Sequence, residues 1–417
     1  MYVKTEQLSL RANILWNSFG SLVNLGCQWL ISILIVRMGT GYEAAGIFSL
    51  AMSVYNIFAP LGQYRMYTYQ VTDVNGENTT GEYLSFRLIT SSAALVLCAL
   101  YSIVTCDLSA LPAIILFALY RTLVLIIDVF HAVDQRCHRM DYIGKSLAMQ
   151  GVASLISFVL LFGLTGSLEA ALIAMIASVF MVGLFYDWPL TRQFGEVSIG
   201  ISFKKTRHLL IYCLPIVLAA VAASAAPSIP RQYLSSVYGE GMLGIYAAAA
   251  APVALIQTGA SYIYNPLLGY FSERFVARNK TGFVGLFVRA TIGIIVLGLI
   301  FSLGVLLFGE PVLIFVYGAK MEGYGYLLLP LVLLALITGY MWFINDLLMA
   351  IRNFRGSFLG SAVALLASLV CLPLITEFGM QGVTYVCMIS CVSGVFVMAC
   401  ALAIQMHGHW GPQCIEE

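Results

Sequence analysis

Long apolar runs separated by short polar segments make up most of this chain. Twelve runs, each about as long as a bilayer-spanning helix must be, lie at residues 12–36, 44–64, 84–105, 109–133, 142–164, 168–187, 209–234, 242–268, 283–308, 325–348, 357–375 and 380–405. Strand-like alternation over segments of about ten residues is absent from the sequence. The pattern therefore predicts an all-α, polytopic membrane protein with twelve transmembrane helices.

Composition excludes several other classes of protein. Of the 417 residues, 60% are hydrophobic and 10% are charged, whereas about a quarter of a soluble domain is charged. Disordered chains, coiled coils and nucleic-acid-binding proteins all need more charge than this. We therefore expect lipid to surround most of the chain, and we expect no nucleic-acid partner.

The basic residues predict an orientation. If the N-terminus is cytoplasmic, 17 of the 21 Lys and Arg residues fall on the inner side, as the positive-inside rule requires. The four others are Arg37, Arg121, Arg231 and Lys320. The opening residues lack the features of a cleaved signal peptide, so we expect them to remain as part of the first helix. Both termini are predicted to be cytoplasmic.

The two halves of the sequence resemble each other. Four landmarks recur in the same order: Gly39-x-Gly41 and Gly239-x-Gly241, Arg87 and Arg289, Asp128 and Asp346, and DYIGKS (141–146) and SFLGS (357–361). Parallel repeats of six helices are a recurrent plan among transporters. The sequence predicts an N-terminal six-helix lobe (1–187), a cytoplasmic linker (188–208), a C-terminal six-helix lobe (209–406) and a cytoplasmic tail (407–417).

Polar side chains form stripes on several predicted helices. The candidates for a substrate-binding cleft are Asn13, Asn17, Asn24 and Gln28 in the first helix and Gln257, Ser261 and Asn265 in the eighth. Intramembrane polar groups are costly and usually face a cavity. The alternative is hydrogen bonding between packed helices. Because stripes occur on the first two helices of each half, we favour a shared water-filled cleft.

Arginines dominate the charges predicted to lie in or near the membrane. They are Arg37, Arg65, Arg121 and Arg231. A guanidinium group matches phosphate oxygens bidentately, so this set favours an anionic substrate. Arginines at helix ends also extend to the membrane interface without any substrate, and that alternative stays open.

Three ionisable residues are candidates for ion coupling. Asp128 and His131 lie one turn apart in the fourth predicted helix, and Asp346 is the repeat partner of Asp128. The competing interpretation is a structural pair between Arg121 and Asp128. We find no catalytic motif, no metal-spaced His/Cys set and no nucleotide-binding motif, so we expect no enzyme activity, no metal site and no cofactor.

The opening stretch, NILWNSFGSLVNLGCQWLISILIVRMGTGYEAAGIFSLA, together with the six-plus-six plan resembles the polysaccharide (O-antigen, Wzx-type) flippases. These belong to the multidrug/oligosaccharidyl-lipid/polysaccharide (MOP) exporter superfamily. The resemblance covers nearly the whole chain. It implies a V-shaped, two-lobed fold in a bacterial cytoplasmic (inner) membrane. It also implies alternating access and an undecaprenyl-pyrophosphate-linked oligosaccharide as the substrate.

The resemblance further implies membrane lipids, a polysaccharide polymerase and chain-length proteins as partners in making lipopolysaccharide O-antigen, capsule or exopolysaccharide. Two alternatives stay open. One is a cation- or proton-coupled multidrug antiporter of the same superfamily, although the first and seventh helices here carry Asn and Arg instead of a carboxylate. The other is a membrane polysaccharide polymerase, a class that has a large outer loop.

Overall fold

The computed structural model describes residues 8–73, 76–195 and 197–410, apart from the side chains of Leu255, Thr258 and Trp410. All regular secondary structure in these ranges is helical, so the prediction of an all-α chain is confirmed. The helices are α1 (Leu10–Met38), α2 (Glu43–Gln63), α3 (Met66–Thr72), α4 (Thr80–Thr105), α5 (Leu111–Arg136), α6 (Met140–Thr165), α7 (Leu168–Val182), α8 (Trp188–Thr191), α9 (Phe203–Tyr238), α10 (Glu240–Tyr264), α11 (Leu268–Val276), α12 (Lys280–Tyr317), α13 (Leu328–Ala350), α14 (Phe354–Val370), α15 (Pro373–Phe378) and α16 (Met380–Trp410).

These helices account for the twelve predicted spans. Within the described residues, eleven helical segments are long and apolar enough to cross a bilayer, and α14 is a shorter apolar helix in the place of the eleventh predicted span. The chain is therefore a multi-pass membrane protein. Three of the segments consist of consecutive helices, namely α2 with α3, α7 with α8, and α10 with α11.

The chain divides into two compact units, Met1–Val217 and Leu218–Glu417. In the first unit α2, α4 and α5 pack against one another, α7 packs on α5 and α6, and α1 packs on α6. In the second unit α10, α12 and α13 pack against one another, and α16 packs on α13 and α14. The Ser368 hydroxyl of α14 donates to the Ala226 carbonyl of α9 at 2.7 Å. Equivalent helices thus make equivalent pairs, which supports the duplication.

Two of the spans are interrupted at the same relative place. Between α2 and α3 the backbone of Tyr64 and Arg65 is left-handed, with φ of 44° and 58°. Non-glycine residues rarely adopt this conformation, so it stores local strain. In the second unit a 3₁₀ turn at Asn265–Leu267 separates α10 from α11, and Pro266 there cannot donate a backbone hydrogen bond.

Two predicted boundaries differ from the structure. The division between the units falls inside α9, whose first turns are fixed to the first unit by an ion pair of 2.8 Å between Lys205 and Glu82. At the other end, α16 continues to Trp410, and the His409 ring stacks on Phe275 with centroids 4.1 Å apart. Helix α16 therefore extends into the stretch predicted as a cytoplasmic tail, 407–417. Residues 411–417 lie outside the described ranges.

Candidate functional site

The polar face of α1 packs against α6. Asn13 is buried, donates to the Leu8 carbonyl at 3.2 Å and accepts from the Met140 backbone N–H at 2.8 Å. Its amide is therefore used in joining α1 to the start of α6. For Asn13 these bonds match the alternative of hydrogen bonding between packed helices, and its place in a cleft stays a prediction.

Glycines of α6 explain how closely the two helices approach. A Cβ atom at Gly144 would lie 2.1 Å from the Trp16 carbonyl oxygen, and one at Gly151 would lie 2.8 Å from Cα of Asn24. Asn17 and Asn24 are consequently half-buried at this contact, and the Asn24 side-chain oxygen accepts from Gln28 at 3.4 Å. The first-helix stripe thus serves helix packing over much of its length.

The four candidate arginines occupy different environments. Arg37 is exposed at the end of α1, and Arg65 is exposed at the left-handed break after α2. Arg121 is half-buried on α5, with its guanidinium carbon 5.9 Å from the centre of the Tyr55 ring. That distance is within the range of a cation–π interaction. Arg231 is half-buried on α9 and belongs to the second unit.

Arg87 is a functional candidate that the sequence did not single out. The sequence predicts Arg87 to be one of the inner-side basic residues, but its side chain is 1% exposed. One of its terminal nitrogens donates to the Gly62 carbonyl at 2.9 Å and also to the Gln63 carbonyl. A cation is favourable at a helix C-terminus, so Arg87 stabilises the end of α2 beside the strained break.

A buried group of ionisable side chains lies where α5 meets the chain between α7 and α8. His131 places Nε2 3.3 Å from Oδ1 of Asp187 and Nδ1 3.8 Å from Oδ1 of Asp128. His131 and Asp187 are 3% and 1% exposed, whereas Asp128 is 32% exposed. The second oxygen of Asp187 accepts from the Ser146 hydroxyl at 2.9 Å, and Ser146 accepts from Gln150 at 2.9 Å.

Local backbone geometry brings Asp187 to this place. Residues Gly183–Asp187 form a π-helical turn between α7 and α8. Such turns are rare and occur often at functional sites. A Cβ atom at Gly183 would lie 2.9 Å from Cδ1 of Ile127, so the glycine permits close approach to α5. Asp187 lies four residues after Gly183, and His131 lies four residues after Ile127, so the same approach brings these two side chains together.

Asp128 and His131 thus lie close together, as the sequence suggested. Asp187 is a further partner of His131 that the sequence analysis did not identify. The sequence places Asp187 at the last position of the sixth predicted span, because the basic segment begins there. The π-helical turn could not be inferred from hydrophobic periodicity. Arg121 and Asp128 form no ion pair within 4 Å in the described part of the chain.

Asp346 belongs to a different network, in the second unit. One of its oxygens accepts from the Tyr264 hydroxyl at 3.0 Å, and the other accepts from Asn345 at 3.3 Å. The Asn345 side-chain oxygen in turn accepts from the Ser357 hydroxyl at 2.5 Å. These bonds join α10, α13 and α14 and satisfy both oxygens of the carboxylate.

The remaining candidates of the eighth predicted span are spread along α10 and its end. Gln257 and Ser261 are half-buried, and Gln257 lies close to Gly339 of α13. Asn265 is exposed and starts the 3₁₀ turn. Among the residues that the structure describes, no group of three or more His, Cys, Asp and Glu side chains has the geometry to hold a metal ion.

Comparison with known sequences identifies one relative of note. No protein-family model matches the chain. A capsular polysaccharide biosynthesis protein, CapF, from Staphylococcus aureus is 25% identical over 296 residues, which covers 68% of this chain and 74% of that protein.

Comparison with solved structures identifies the fold. The chain is similar to an inward-facing multidrug resistance MATE family transporter of the MOP superfamily, with a TM-score of 0.69, 14% identity and coverage of 96% of this chain and 100% of that one. It is also similar to the lipid II flippase MurJ in an inward closed conformation, with a TM-score of 0.72, 14% identity and coverage of 95% and 88%. The Vibrio cholerae MATE transporter VcmN in its bent form has a TM-score of 0.60 at 14% identity, with coverage of 96% and 97%.

These similarities define the class of structure. Nearly the whole chain superposes on transporters of one superfamily, at identities too low to carry more than the fold. The chain therefore has the fold of the MOP-superfamily transporters. The resemblance that the sequence suggested is confirmed at that level.

Proposed function

We propose that this protein is a flippase that moves an undecaprenyl-pyrophosphate-linked oligosaccharide from the cytoplasmic to the outer leaflet for surface polysaccharide synthesis. The observation that carries the proposal is the combination of a MOP-type fold with a relative named for capsular polysaccharide biosynthesis. The similarity to a lipid II flippase supports a lipid-linked substrate. Residues of the chain itself favour an anionic one.

Arg121 is the residue of the first unit that we propose for binding the pyrophosphate. It is half-buried in a membrane-spanning helix, and no carboxylate lies within 4 Å of it in the described residues. A half-buried cation with no carboxylate in direct contact is expensive to keep in a membrane-spanning helix, so an anionic ligand would lower its free energy. We propose the same role for Arg231 in the second unit and test the two arginines separately.

Genetic complementation tests this function. In a strain that lacks the gene, we expect the lipid-linked oligosaccharide to accumulate on the cytoplasmic leaflet and the wild-type gene to restore its export. Arg121→Gln and Arg231→Gln should each reduce export at least tenfold at unchanged membrane abundance, whereas the exposed Arg192→Gln should complement fully. Normal export in the deletion strain would falsify the flippase proposal, and full complementation by both Gln variants would reject pyrophosphate binding by these arginines.

A multidrug antiporter is the second candidate. The observation that favours it is the buried histidine–carboxylate group in the first unit, together with a fold shared with MATE transporters. Against it stands the first helix, whose intramembrane polar groups are amides and not carboxylates. Drug susceptibility of the deletion strain separates the two: an antiporter predicts increased sensitivity to cationic drugs with normal surface polysaccharide. The transporter structures give no support to the polymerase alternative.

A further inference from the structure

The contact between α5 and the π-helical turn contains more buried carboxyl groups than cations. Asp134 and Asp187 are each 1% exposed, and Asp134 lies close enough to interact electrostatically with both His131 and Asp187. A single imidazolium can balance only one of these two carboxylates. Because an uncompensated buried charge is strongly disfavoured, this group favours the binding of a proton.

Four buried polar atoms of this group make no hydrogen bond to any described residue. They are Nε2 of His131, Oδ1 of Asp134, Oδ1 of Asp187 and Oγ1 of Thr191. Asp134 follows His131 by three residues and Thr191 follows Asp187 by four, so each pair shares one helix face. Buried polar atoms are almost always hydrogen-bonded. Which of these atoms donate and which accept depends on where the protons lie.

Charged and titratable groups of several neighbouring elements face the cluster of His131, Asp128, Asp134 and Asp187. Arg87 of α4 and Arg121 of α5 both act on Asp128, while Arg139, which precedes α6, acts on Asp134. The other groups facing the cluster are Tyr55 of α2, Tyr67 of α3, Cys137 just after α5, Asp141 of α6 and Tyr186 of the π-helical turn. The ion-pair contact that Asp187 makes among the described residues is with the imidazole of His131, at 3.3 Å.

We propose that His131 and Asp187 form a buried proton-binding site, shared with Asp134 and Thr191, whose protonation holds the π-helical turn against α5. When the imidazole is protonated, its charge attracts the Asp187 carboxylate and closes the 3.3 Å contact. When that proton leaves, Asp187 faces a neutral ring and lies near the Asp134 carboxyl group. Low pH therefore tightens the contact, and high pH loosens it.

The site lies near one end of the first unit. His131 lies five residues before the end of α5 at Arg136, Asp187 four before the end of α8 at Thr191, and Ser146 six after the start of α6. At about 1.5 Å per residue these positions are within about 10 Å of that end. The orientation predicted from the basic residues makes this the cytoplasmic end. Protons would exchange with the cytoplasm there.

The proton-binding site rests on the proposed transport function only for its biological role. In that role, a proton gradient would act on the contact between the π-helical turn and α5. The test of the site needs no transported substrate. Full-length protein in nanodiscs is studied by hydrogen–deuterium exchange between about pH 5 and pH 8, the interval in which histidine titrates. After correction for intrinsic rates, protection of residues 183–191 should fall about tenfold in the wild type, the equivalent of one pKa unit.

Three variants complete the exchange experiment. His131→Gln and Asp187→Asn retain hydrogen-bonding shape but cannot form the charged pair, so both should lose the pH dependence. Asp107→Asn makes the same chemical change at an exposed loop residue and should keep it. A pH-independent wild type, or unchanged pH dependence in both site variants, would overturn the proposal. Failure of the flippase proposal would leave these results untouched.

Instability of both variants would not remove the test. Infrared difference spectra of the wild type across the same pH interval then report on the buried carboxyl groups directly. A protonated-carboxyl band that titrates in this interval, far above the usual range of an aspartate, supports the site. No titrating carboxyl or imidazole band would overturn it.

Discussion

The two units pack the same pairs of helices, but one of these contacts contains charged side chains in the first unit and apolar ones in the second. In the first unit, α5 meets the sixth span through His131 and Asp187. In the second unit the equivalent contact between α13 and α16 is apolar, with residues such as Phe343, Leu347 and Met398 in one buried cluster. Besides these apolar residues, uncharged polar groups meet there: the Thr338 hydroxyl lies 3.6 Å from the Cys391 sulfur, and the Gln405 amide donates to the Ile351 carbonyl at the end of α13 at 3.2 Å.

The difference indicates which charges the fold needs. Because the second unit holds the equivalent helices together without ionisable groups, the first unit does not need them for packing. Buried ion pairs seldom stabilise a protein more than apolar side chains of similar volume. The histidine–carboxylate group is therefore better explained by a functional role than by a contribution to stability. Asp346, whose two oxygens are both hydrogen-bonded, resembles a structural group more closely.

The largest effect should come from removing one partner of the charged contact. His131→Leu leaves Asp187 without its charged partner and should lower the free energy of unfolding by about 3–5 kcal/mol. The double variant His131→Leu/Asp187→Leu should recover most of that loss, because it makes the contact resemble its counterpart in the second unit. Thr338→Val at that counterpart should cost about 1 kcal/mol. Denaturant unfolding in detergent measures the stability of these three variants. If the double variant is as unstable as His131→Leu alone, the charges are structural.

Glycines at equivalent positions provide the next comparison. Gly144 and Gly360 are the matched glycines of the repeated landmark, and a Cβ atom would meet the Trp16 carbonyl oxygen at 2.1 Å in the first case and Cγ of Met398 at 2.3 Å in the second. Backbone cannot move aside, whereas a methionine side chain can. We expect Gly144→Ala to cost about 3 kcal/mol and Gly360→Ala about 1 kcal/mol. Equal losses of thermal stability would mean that the two contacts are equally adaptable.

The smallest effect concerns the loops before α4 and α12. Asp73 is buried, which raises its pKa, but hydrogen bonds from Glu77, Tyr83 and Asn78 together hold that pKa below its ordinary value. A lowered folded pKa gives a stabilisation that is complete above the unfolded value of about 3.9 and is lost as pH falls through the folded value. The equivalent loop uses the amide of Asn279, which accepts from Gly282 at 2.8 Å and does not titrate.

Acidification should therefore loosen only the first of these loops. Amide exchange of Glu77 and Asn78, corrected for intrinsic rates, should accelerate below about pH 4, while exchange of Gly282 should not. Asp73→Asn should remove the pH dependence. Acceleration at both loops would point to general acid unfolding and not to Asp73.

Hydrophobic runs were sufficient to predict the membrane-spanning helices, because span length is a property of local sequence, and four recurring landmarks suggested the duplication. These patterns could not predict which face of a helix meets which neighbour. The α1 stripe illustrates this, since Asn13 bonds to the start of α6 although its spacing equally suits a cleft. Asp187 was missed because a π-helical turn rotates it inward, and Arg87 because a buried arginine that binds backbone carbonyls resembles a loop arginine in sequence.

Substrate translocation in a reconstituted system tests the central claim most directly. Purified protein is placed in liposomes that contain undecaprenyl-pyrophosphate-linked oligosaccharide, and exposure of the sugar on the second leaflet is followed with a membrane-impermeant glycan-modifying enzyme. We predict rapid exposure with the wild type, at least tenfold slower exposure with Arg121→Gln, and wild-type rates with Arg192→Gln. Exposure no faster than in protein-free liposomes would contradict the account.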